Sequence, residues 1–232
     1  LPATVPNTAA APAATPRRGG APLPAAVRVS GGVPVDAPAE RSLLARIIVE
    51  GDFLCTGTFI PPAHVLTAAH CAFDFLPTVV GIYPGPGAAE EVVVPVLNVT
   101  LHPQVDLDSK LITYDAAIYH LNVSAVGPLP CPAARMVFLS EEDYPVEGSA
   151  VRLAGWGESS ANVPSGGGPR RVDMPTLSPE ECQAWLDTRL EVEGSEPEKL
   201  SPILLCMAVW EGGCGACAGD SGGPAYQIAT SL

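Results

Sequence analysis

The residues of this chain best suited to chemistry lie at positions 219–224, where the sequence reads Gly-Asp-Ser-Gly-Gly-Pro. Glycine lacks the Cβ atom that blocks close approach of a second backbone, and it tolerates positive φ angles. A serine in this setting can present its hydroxyl outward while neighbouring N–H groups point at one spot. That geometry suits a nucleophile beside an oxyanion hole. The alternative is a tight turn between strands, so a base and an orienting acid must come from elsewhere in the chain.

The elements that carry these residues are predicted to be short β-strands, because β-rich runs recur between clusters of turn-forming residues. Residues 43–49 and 53–60 flank the turn signal at Glu50 and Gly51, so we expect a β-hairpin there. Another β-rich stretch begins at Val65. Further runs follow at residues 79–83, 91–100, 116–121, 150–155, 171–177 and 203–209. Many short strands with little helix predict an all-β barrel or sandwich.

One helix is clearly signalled in the second half of the chain. Ser178 is a favourable N-cap residue, Pro179 suits the first helical position, and Glu181 completes a capping box. The helix body is predicted at residues 182–190, after a Ser- and Gly-rich loop at residues 158–169.

Composition excludes several classes of function. The 232 residues suffice for one large all-β domain or two small ones, and 47% of them are hydrophobic. With a net charge of −13 and only 12 basic residues, the chain has no cationic excess to neutralise nucleic acid phosphates. No apolar run is long enough to span a membrane.

Cysteine content points to an oxidising compartment. Seven cysteines are many for a cytosolic protein, and the sequons at Asn98 and Asn122 agree with secretion and N-glycosylation. The chain starts at Leu1 without a visible signal segment. We therefore expect a signal peptide to have been removed or to lie outside this sequence.

Three motifs together resemble those of the chymotrypsin/trypsin-like serine proteases. The hexapeptide 219–224 resembles the nucleophile motif, residues 66–71 (Leu-Thr-Ala-Ala-His-Cys) the histidine motif, and residues 114–118 (Tyr-Asp-Ala-Ala-Ile) the aspartate motif. The resemblance covers residues 29–232. It implies an all-β fold of two antiparallel six-stranded β-barrels with the active site between them.

The resemblance also implies a role for each catalytic residue. Ser221 attacks a peptide carbonyl, neutral His70 takes the hydroxyl proton, and Asp115 fixes the imidazole tautomer. The N–H groups of Gly219 and Ser221 hold the oxyanion, and no cofactor or metal is needed. Taken singly, the histidine could instead be structural or form a weak metal pair with His64, and the aspartate could be a turn residue.

By the same resemblance, two disulfides are expected. Cys55 would pair with Cys71, and a loop of ~15 residues closed in this way is worth ~3 kcal/mol in the chain-entropy model. Cys182 would pair with Cys206. No partners are assigned to the remaining cysteines, which are Cys131, Cys214 and Cys217.

The amino-terminal part of the chain is predicted to be a disordered propeptide. Residues 1–28 are rich in Ala and Pro and cannot bury a core. Arg28 and Val29 begin a stretch that resembles the family's activation site, although Ser30 stands where a second aliphatic residue is usual. Cleavage between them by a trypsin-like protease would free an α-amino group to pair with Asp220. The alternative is a flexible tail without a regulatory role.

Specificity and the carboxyl end are also inferred by resemblance. Gly215, six residues before the serine, would form the base of the specificity pocket, and it offers no carboxylate for a basic side chain. Apolar substrate side chains are therefore expected to be preferred. Eleven residues follow Ser221, whereas the family continues through two more strands and a helix. We therefore expect the second barrel and one pocket wall to be incomplete.

The sequence thus favours a secreted serine endopeptidase zymogen. Its expected partners are protein or peptide substrates and an activating trypsin-like protease, with neither nucleic acid nor membrane. One alternative is a catalytically inactive secreted homologue that acts as a binding protein. The other is a secreted β-sandwich adhesion module, which leaves the three matched motifs to coincidence.

Overall fold

The computed structural model describes residues 4–5, 32–73, 79–83, 90–108, 112–127, 129, 147–157, 168–193, 199–201, 204–208 and 215–227. Its strands are β1 (Thr4–Val5), β2 (Val33–Pro34), β3 (Leu44–Val49), β4 (Asp52–Ile60), β5 (His64–Thr67), β6 (Val79–Ile82), β7 (Val92–Leu101), β8 (Ala117–Leu121), β9 (Ala150–Gly155), β10 (Arg170–Pro175) and β11 (Ala225–Tyr226). Its helices are α1 (Pro38–Arg41), α2 (His70–Phe73) and α3 (Pro179–Glu193), and a 3₁₀ turn spans Val123–Ala125.

Six antiparallel strands close into a barrel. Their order is β7-β6-β3-β4-β5-β8, and β8 pairs back onto β7. Closure satisfies the backbone groups that a sheet edge would leave exposed. Strand β1 adds to β7 through the pair Thr4 and Thr100. The barrel confirms the strands predicted between residues 43 and 121 to within two residues at each end, except that the β-rich stretch that begins at Val65 is a strand only as far as Thr67 and enters α2 at His70.

The predicted hairpin joins β3 to β4. Glu50 and Gly51 both have positive φ angles, 52° and 94°. A two-residue hairpin turn of this hand requires positive φ at both positions, because only then does its twist match that of the strands.

The barrel interior is filled by alternate side chains of its strands. In β8, for example, buried and half-buried residues alternate strictly. Burial of a large apolar side chain is worth roughly 1.5–3 kcal/mol, so the interior is the main source of stability. The largest fully buried side chains here are Tyr119, Phe59, Ile47, Ile82, Val65, Val80 and Val94.

Strand β8 also carries one of a pair of neighbouring histidines. His64 on β5 lies directly opposite His120 on β8, and the ring centroids are 5.1 Å apart in an edge-to-face arrangement. The ring of His120 contacts the Thr100 hydroxyl at 2.9 Å. Burial and the neighbouring His64 both lower the pKa of His120. The two rings pack against each other between neighbouring strands of the barrel.

A second sheet has the strand order β11-β9-β10-β2. Strands β9 and β10 form its centre, with Val172 and Met174 buried against Leu153 and Met207. One closed barrel and a second sheet confirm the predicted all-β fold of the chymotrypsin type.

Helix α3 begins as the sequence predicts. The Glu181 N–H donates to the Ser178 hydroxyl at 3.2 Å, and the Ser178 N–H donates to the Glu181 carboxylate at 3.3 Å. These reciprocal bonds satisfy two N–H groups that a helix start leaves free. The predicted disulfide between Cys182 and Cys206 is confirmed and ties the helix to residues 204–208.

The strand predicted at residues 203–209 is wrong within its described part. Residues 204–208 form only an isolated bridge between Met207 and Thr176. The Ala208 N–H donates to the Pro175 carbonyl at 3.3 Å. Proline has no N–H to return, so the ladder on this side of β10 is interrupted.

A network of charges anchors α1 to the second sheet. The Arg152 guanidinium contacts the Glu40 carboxylate at 2.6 Å and also binds both Asp173 oxygens. The Tyr226 hydroxyl donates to Glu40 at 3.1 Å. The hydrogen bonds from Arg152 lower the pKa of Asp173, and burial raises the pKa of Tyr226. Loss of one partner would leave another charge buried and unpaired, which is costly.

No helix in the described part of the chain is long and apolar enough to cross a bilayer.

Candidate active site

His70 and Asp115 meet because two paired strands bring them to one end of the barrel. Strand β5 ends just before His70, and β8 begins just after Asp115. The strands are antiparallel and pair Thr67 with Ala117, so the end of one lies beside the start of the other. The His70 Nδ1 lies 2.6 Å from the Asp115 Oδ2, and the His70 N–H donates to Oδ1 at 2.8 Å. One carboxylate thus fixes both the backbone and the ring of the histidine.

The Asp115 loop is held in a strained conformation. Tyr114 has a φ of +53°, which is uncommon for a residue with a side chain and costs of order 1–3 kcal/mol. Its ring stacks on His102, with centroids 4.8 Å apart. The Ala116 N–H donates to the Tyr114 carbonyl at 2.7 Å, and the His102 N–H donates to the Ala116 carbonyl at 2.8 Å. His102 therefore helps to position the aspartate.

The predicted disulfide between Cys55 and Cys71 is confirmed. It joins β4 to α2 directly beside His70. Tyr119, fully buried in the barrel, donates its hydroxyl to the Cys71 carbonyl at 3.3 Å. The sulfur atoms lie within 4.8 Å of a His70 ring nitrogen, but disulfide sulfurs are not thiolates and cannot form a metal site with it.

The turn that carries Ser221 lies against the barrel. The Thr56 N–H donates to the Ser221 carbonyl at 3.0 Å, and the Cys71 sulfur lies 3.8 Å from the same oxygen. Gly222 has a φ of +76°, and a Cβ there would overlap the Thr67 hydroxyl. Because Cys71 adjoins His70 in sequence, the turn packs against the segment that carries the histidine. The described contacts include no hydrogen bond between the Ser221 hydroxyl and His70, so the nucleophile–base pair stays a prediction.

Asp220 turns away from the barrel, towards the end of β9. Its carboxylate accepts hydrogen bonds from the Gly157 N–H at 2.7 Å and the Cys217 N–H at 3.0 Å. A Cβ at Gly155 or Gly157 would overlap this carboxylate. Its expected activation partners, Arg28 and Val29, lie outside the described residues. Gly32, however, is buried, and its carbonyl accepts a hydrogen bond from the Arg170 guanidinium.

The remaining predicted residues make no described contact with His70 or Asp115. Gly215 is half-buried, and among the described residues no atom beyond its chain neighbours lies within 4 Å of the position that a Cβ would take. Cys217 is a half-buried free cysteine, whereas Cys131 and Cys214 lie outside the described residues. The sequon residues Asn98 and Asn122 lie in β7 and just after β8, and both are half-buried.

The closed barrel and the second sheet place the chain in the chymotrypsin-like class of folds. Residues 30–230 match the sequence profile described as Trypsin. The chain is 31% identical over 199 residues to a snake venom serine protease of Crotalus durissus durissus, covering 80% of this chain and 68% of that protein. It is also 31% identical over 191 residues to serine protease 56 of Homo sapiens, covering 81% of this chain but 29% of that protein. The chain belongs to the trypsin family of serine proteases.

A solved structure agrees with this assignment at the level of the fold. Neuropsin, a serine protease expressed in the limbic system of mouse brain, superposes with a TM-score of 0.64 at 20% sequence identity. The superposition covers 84% of this chain and 81% of neuropsin.

The contact between Asp220 and the end of β9 yields a prediction about stability. Gly157→Ala should destabilise the fold by roughly 1–3 kcal/mol, because the new methyl group must displace a hydrogen-bonded carboxylate. Gly168→Ala is the matched control, since the nearest atom to its Cβ is the Arg41 Nη2 at 3.6 Å, an ordinary contact. Urea unfolding of both variants measures the difference, and equal midpoints would contradict the prediction.

Proposed function

We propose that this chain is a secreted serine endopeptidase, made as a zymogen, that hydrolyses peptide bonds through Ser221, His70 and Asp115. The observation that carries the proposal is the pair of hydrogen bonds by which Asp115 holds both the ring and the backbone of His70. A carboxylate on Nδ1 fixes the tautomer in which Nε2 is free to accept a proton. Membership of the trypsin family supports the same reaction.

In this mechanism the Ser221 Oγ attacks the carbonyl carbon of a peptide while its proton passes to the His70 Nε2. Asp115 stabilises the imidazolium that forms, without itself becoming protonated. The N–H groups of Gly219 and Ser221 donate to the oxyanion of the tetrahedral intermediate. The imidazolium then protonates the leaving amine, and water releases the acyl group by the reverse sequence of proton transfers.

Several features support secretion and protein or peptide substrates. The described part of the chain contains two disulfides, which persist in oxidising compartments. It carries sequons at Asn98 and Asn122, and one relative is named a snake venom serine protease. Its net charge of −13 disfavours a nucleic acid partner.

We propose that activation follows cleavage between Arg28 and Val29. The freed α-amino group would form an ion pair with Asp220, which lies next to the nucleophile, and would hold the Gly219 N–H towards the oxyanion. The segment just after the cleavage point is already anchored, because Gly32 is buried and bound to Arg170, and Val33 pairs with β10. A buried, hydrogen-bonded ion pair can offset the cost of burying its charges.

The first prediction from the proposed function concerns the nucleophile. Ser221→Ala should lower kcat for a peptide substrate by about 10⁴-fold or more in the activated protein, because loss of one triad member disables the whole. Ser149→Ala, a half-buried serine at the far end of β9, is the control and should retain activity. Turnover and fluorophosphonate labelling are the measurements. If fluorophosphonate does not label Ser221 of the wild-type protein, the protein is instead the inactive binding homologue.

The second prediction concerns activation. Arg28→Gln should fold like the wild type but stay inactive after treatment with a trypsin-like protease, because the scissile bond is no longer recognised. Amino-terminal sequencing and peptide hydrolysis before and after treatment measure this. Equal activity of the cleaved and uncleaved wild-type protein would show that the new amino terminus is not the switch.

The third prediction concerns specificity. With Gly215 at the pocket base, the enzyme should prefer apolar side chains over basic ones. Gly215→Asp should shift that preference towards Arg and Lys by about tenfold or more, since a hydrogen bond to a charged group contributes roughly 1.5–3 kcal/mol. No described residue beyond its chain neighbours approaches the Gly215 Cβ position within 4 Å, which leaves room on that side for the carboxylate. Profiling both proteins on a peptide library tests this, and strict cleavage after Arg by the wild type would refute it.

A further inference from the structure

One buried threonine contacts the carbonyl groups on both sides of Asp220. Thr56, in β4, is fully buried. Its hydroxyl donates to the Gly219 carbonyl at 2.8 Å, and its backbone N–H donates to the Ser221 carbonyl at 3.0 Å. These residues are more than 160 positions apart in sequence, so the contact joins the barrel to the nucleophile turn. No feature of the sequence singles out Thr56.

The direction of the Thr56 hydroxyl is fixed by its neighbours. A hydroxyl has one proton to donate and lone pairs that accept. The Trp156 N–H donates to the Thr56 Oγ1 at 3.1 Å, so this oxygen acts as an acceptor on that side. The hydroxyl therefore donates its single proton to the Gly219 carbonyl.

The peptide unit between Gly219 and Asp220 is held at both of its polar ends. Its carbonyl accepts from Thr56, and its N–H donates to the Cys217 carbonyl at 3.0 Å. A planar peptide held in this way cannot rotate, which fixes ψ of Gly219. Gly219 itself has a φ of +91°, a conformation that glycine adopts without a steric penalty. The direction of the Gly219 N–H follows from these two angles.

We propose that Thr56 is a positioning residue for the oxyanion hole. Its hydroxyl holds the Gly219 carbonyl inward, away from the developing negative charge, and thereby keeps the Gly219 N–H aimed at the oxyanion. The inference rests on the proposed function, because it assigns Thr56 to the site where Gly219 and Ser221 would bind that oxygen. Thr56 does not itself touch the substrate.

Thr56 is held rigidly enough for this role. Its carbonyl accepts a hydrogen bond from the Thr67 hydroxyl at 2.8 Å, and the preceding residue is tied to Cys71 by the disulfide. On the other side, Trp156 stacks on Tyr83 with the ring planes 9° apart. Preorganised donors contribute most to transition-state stabilisation because they need not reorganise during the reaction.

The test compares two substitutions of Thr56 in the activated, full-length protein. Thr56→Val keeps the shape but removes the hydroxyl, whereas Thr56→Ser keeps the hydroxyl. For a peptide amide substrate, Thr56→Val should lower kcat by about 10- to 100-fold with KM within threefold, because the lost interaction acts in the transition state. Thr56→Ser should restore kcat to within about threefold of the wild type.

A peptide aldehyde reports on the oxyanion hole more directly, because its adduct with a nucleophilic serine carries a tetrahedral oxygen. Its inhibition constant should rise in Thr56→Val by the same factor as kcat falls, while that of a non-covalent product peptide stays within about threefold. Thr176→Val is the control for loss of a buried threonine hydroxyl. Thr56 contacts the residue that follows β9, whereas Thr176 lies beyond the opposite end of that strand, about 20 Å from Thr56. It should leave kcat and the aldehyde constant unchanged.

Two outcomes would overturn the inference. One is an active Thr56→Val variant with wild-type kcat and aldehyde affinity, and the other is a Thr56→Ser variant as impaired as Thr56→Val. Should Thr56→Val fail to fold, Thr56→Ala takes its place with the same expectations. Failure of the proposed function can be told apart from failure of this inference, because the wild type itself would then not react with fluorophosphonate.

In that event crystal structures of the two variants test the inference. The Gly219–Asp220 peptide must rotate in Thr56→Val and not in Thr56→Ser, and an unrotated peptide in Thr56→Val refutes the positioning role.

Discussion

The close approach of residues 219–223 to strand β4 is the constraint on which the whole site depends. His70 and Asp115 belong to the barrel, whereas Ser221 leads into β11 of the second sheet. At the site these parts are joined by hydrogen bonds and close contacts between β4 and residues 219–223, among them the bonds from the Thr56 hydroxyl and N–H to the Gly219 and Ser221 carbonyls. A Cβ at Gly222 would lie 2.7 Å from the Thr56 carbonyl oxygen, and one at Gly223 would lie 2.8 Å from the Ala154 carbonyl and 3.1 Å from the Thr56 Cγ2. Glycine is therefore required there for space as well as for conformation.

Local signals in the sequence predicted the elements well. The Glu50-Gly51 turn, the capping box at Ser178 and the β-rich runs each depend on residues close together in the chain, and the structure has all of them except the strand predicted at residues 203–209. The meeting of His70 with Asp115 could be expected only from resemblance, because it depends on the pairing of β5 with β8. The two disulfides were likewise expected from resemblance alone.

Contacts between distant and chemically ordinary residues could not be predicted. Thr56 occupies a β-rich run that would suit it without any special role, and its partners Trp156 and Gly219 follow 100 and 163 residues later. The same is true of Arg152, which reaches Glu40 across 112 positions. The strain at Tyr114 also has no local signature, since tertiary contacts and not propensity hold its backbone. The failed strand at residues 203–209 shows the converse, because one proline in the neighbouring strand overrode a favourable composition.

The disulfide between Cys55 and Cys71 encloses both Thr56 and His70 in one covalent ring of the chain. The two residues that reach towards the nucleophile turn from the barrel side thus share a single closed loop. A thiol reductant would open this loop and remove the covalent link between the segment that carries the histidine and the segment that carries the threonine, so that the β4–β5 ladder and the hydrogen bond from the Thr67 hydroxyl alone would join them within it. Redox conditions therefore act on the relative alignment of His70 and Thr56 as well as on the stability of the fold.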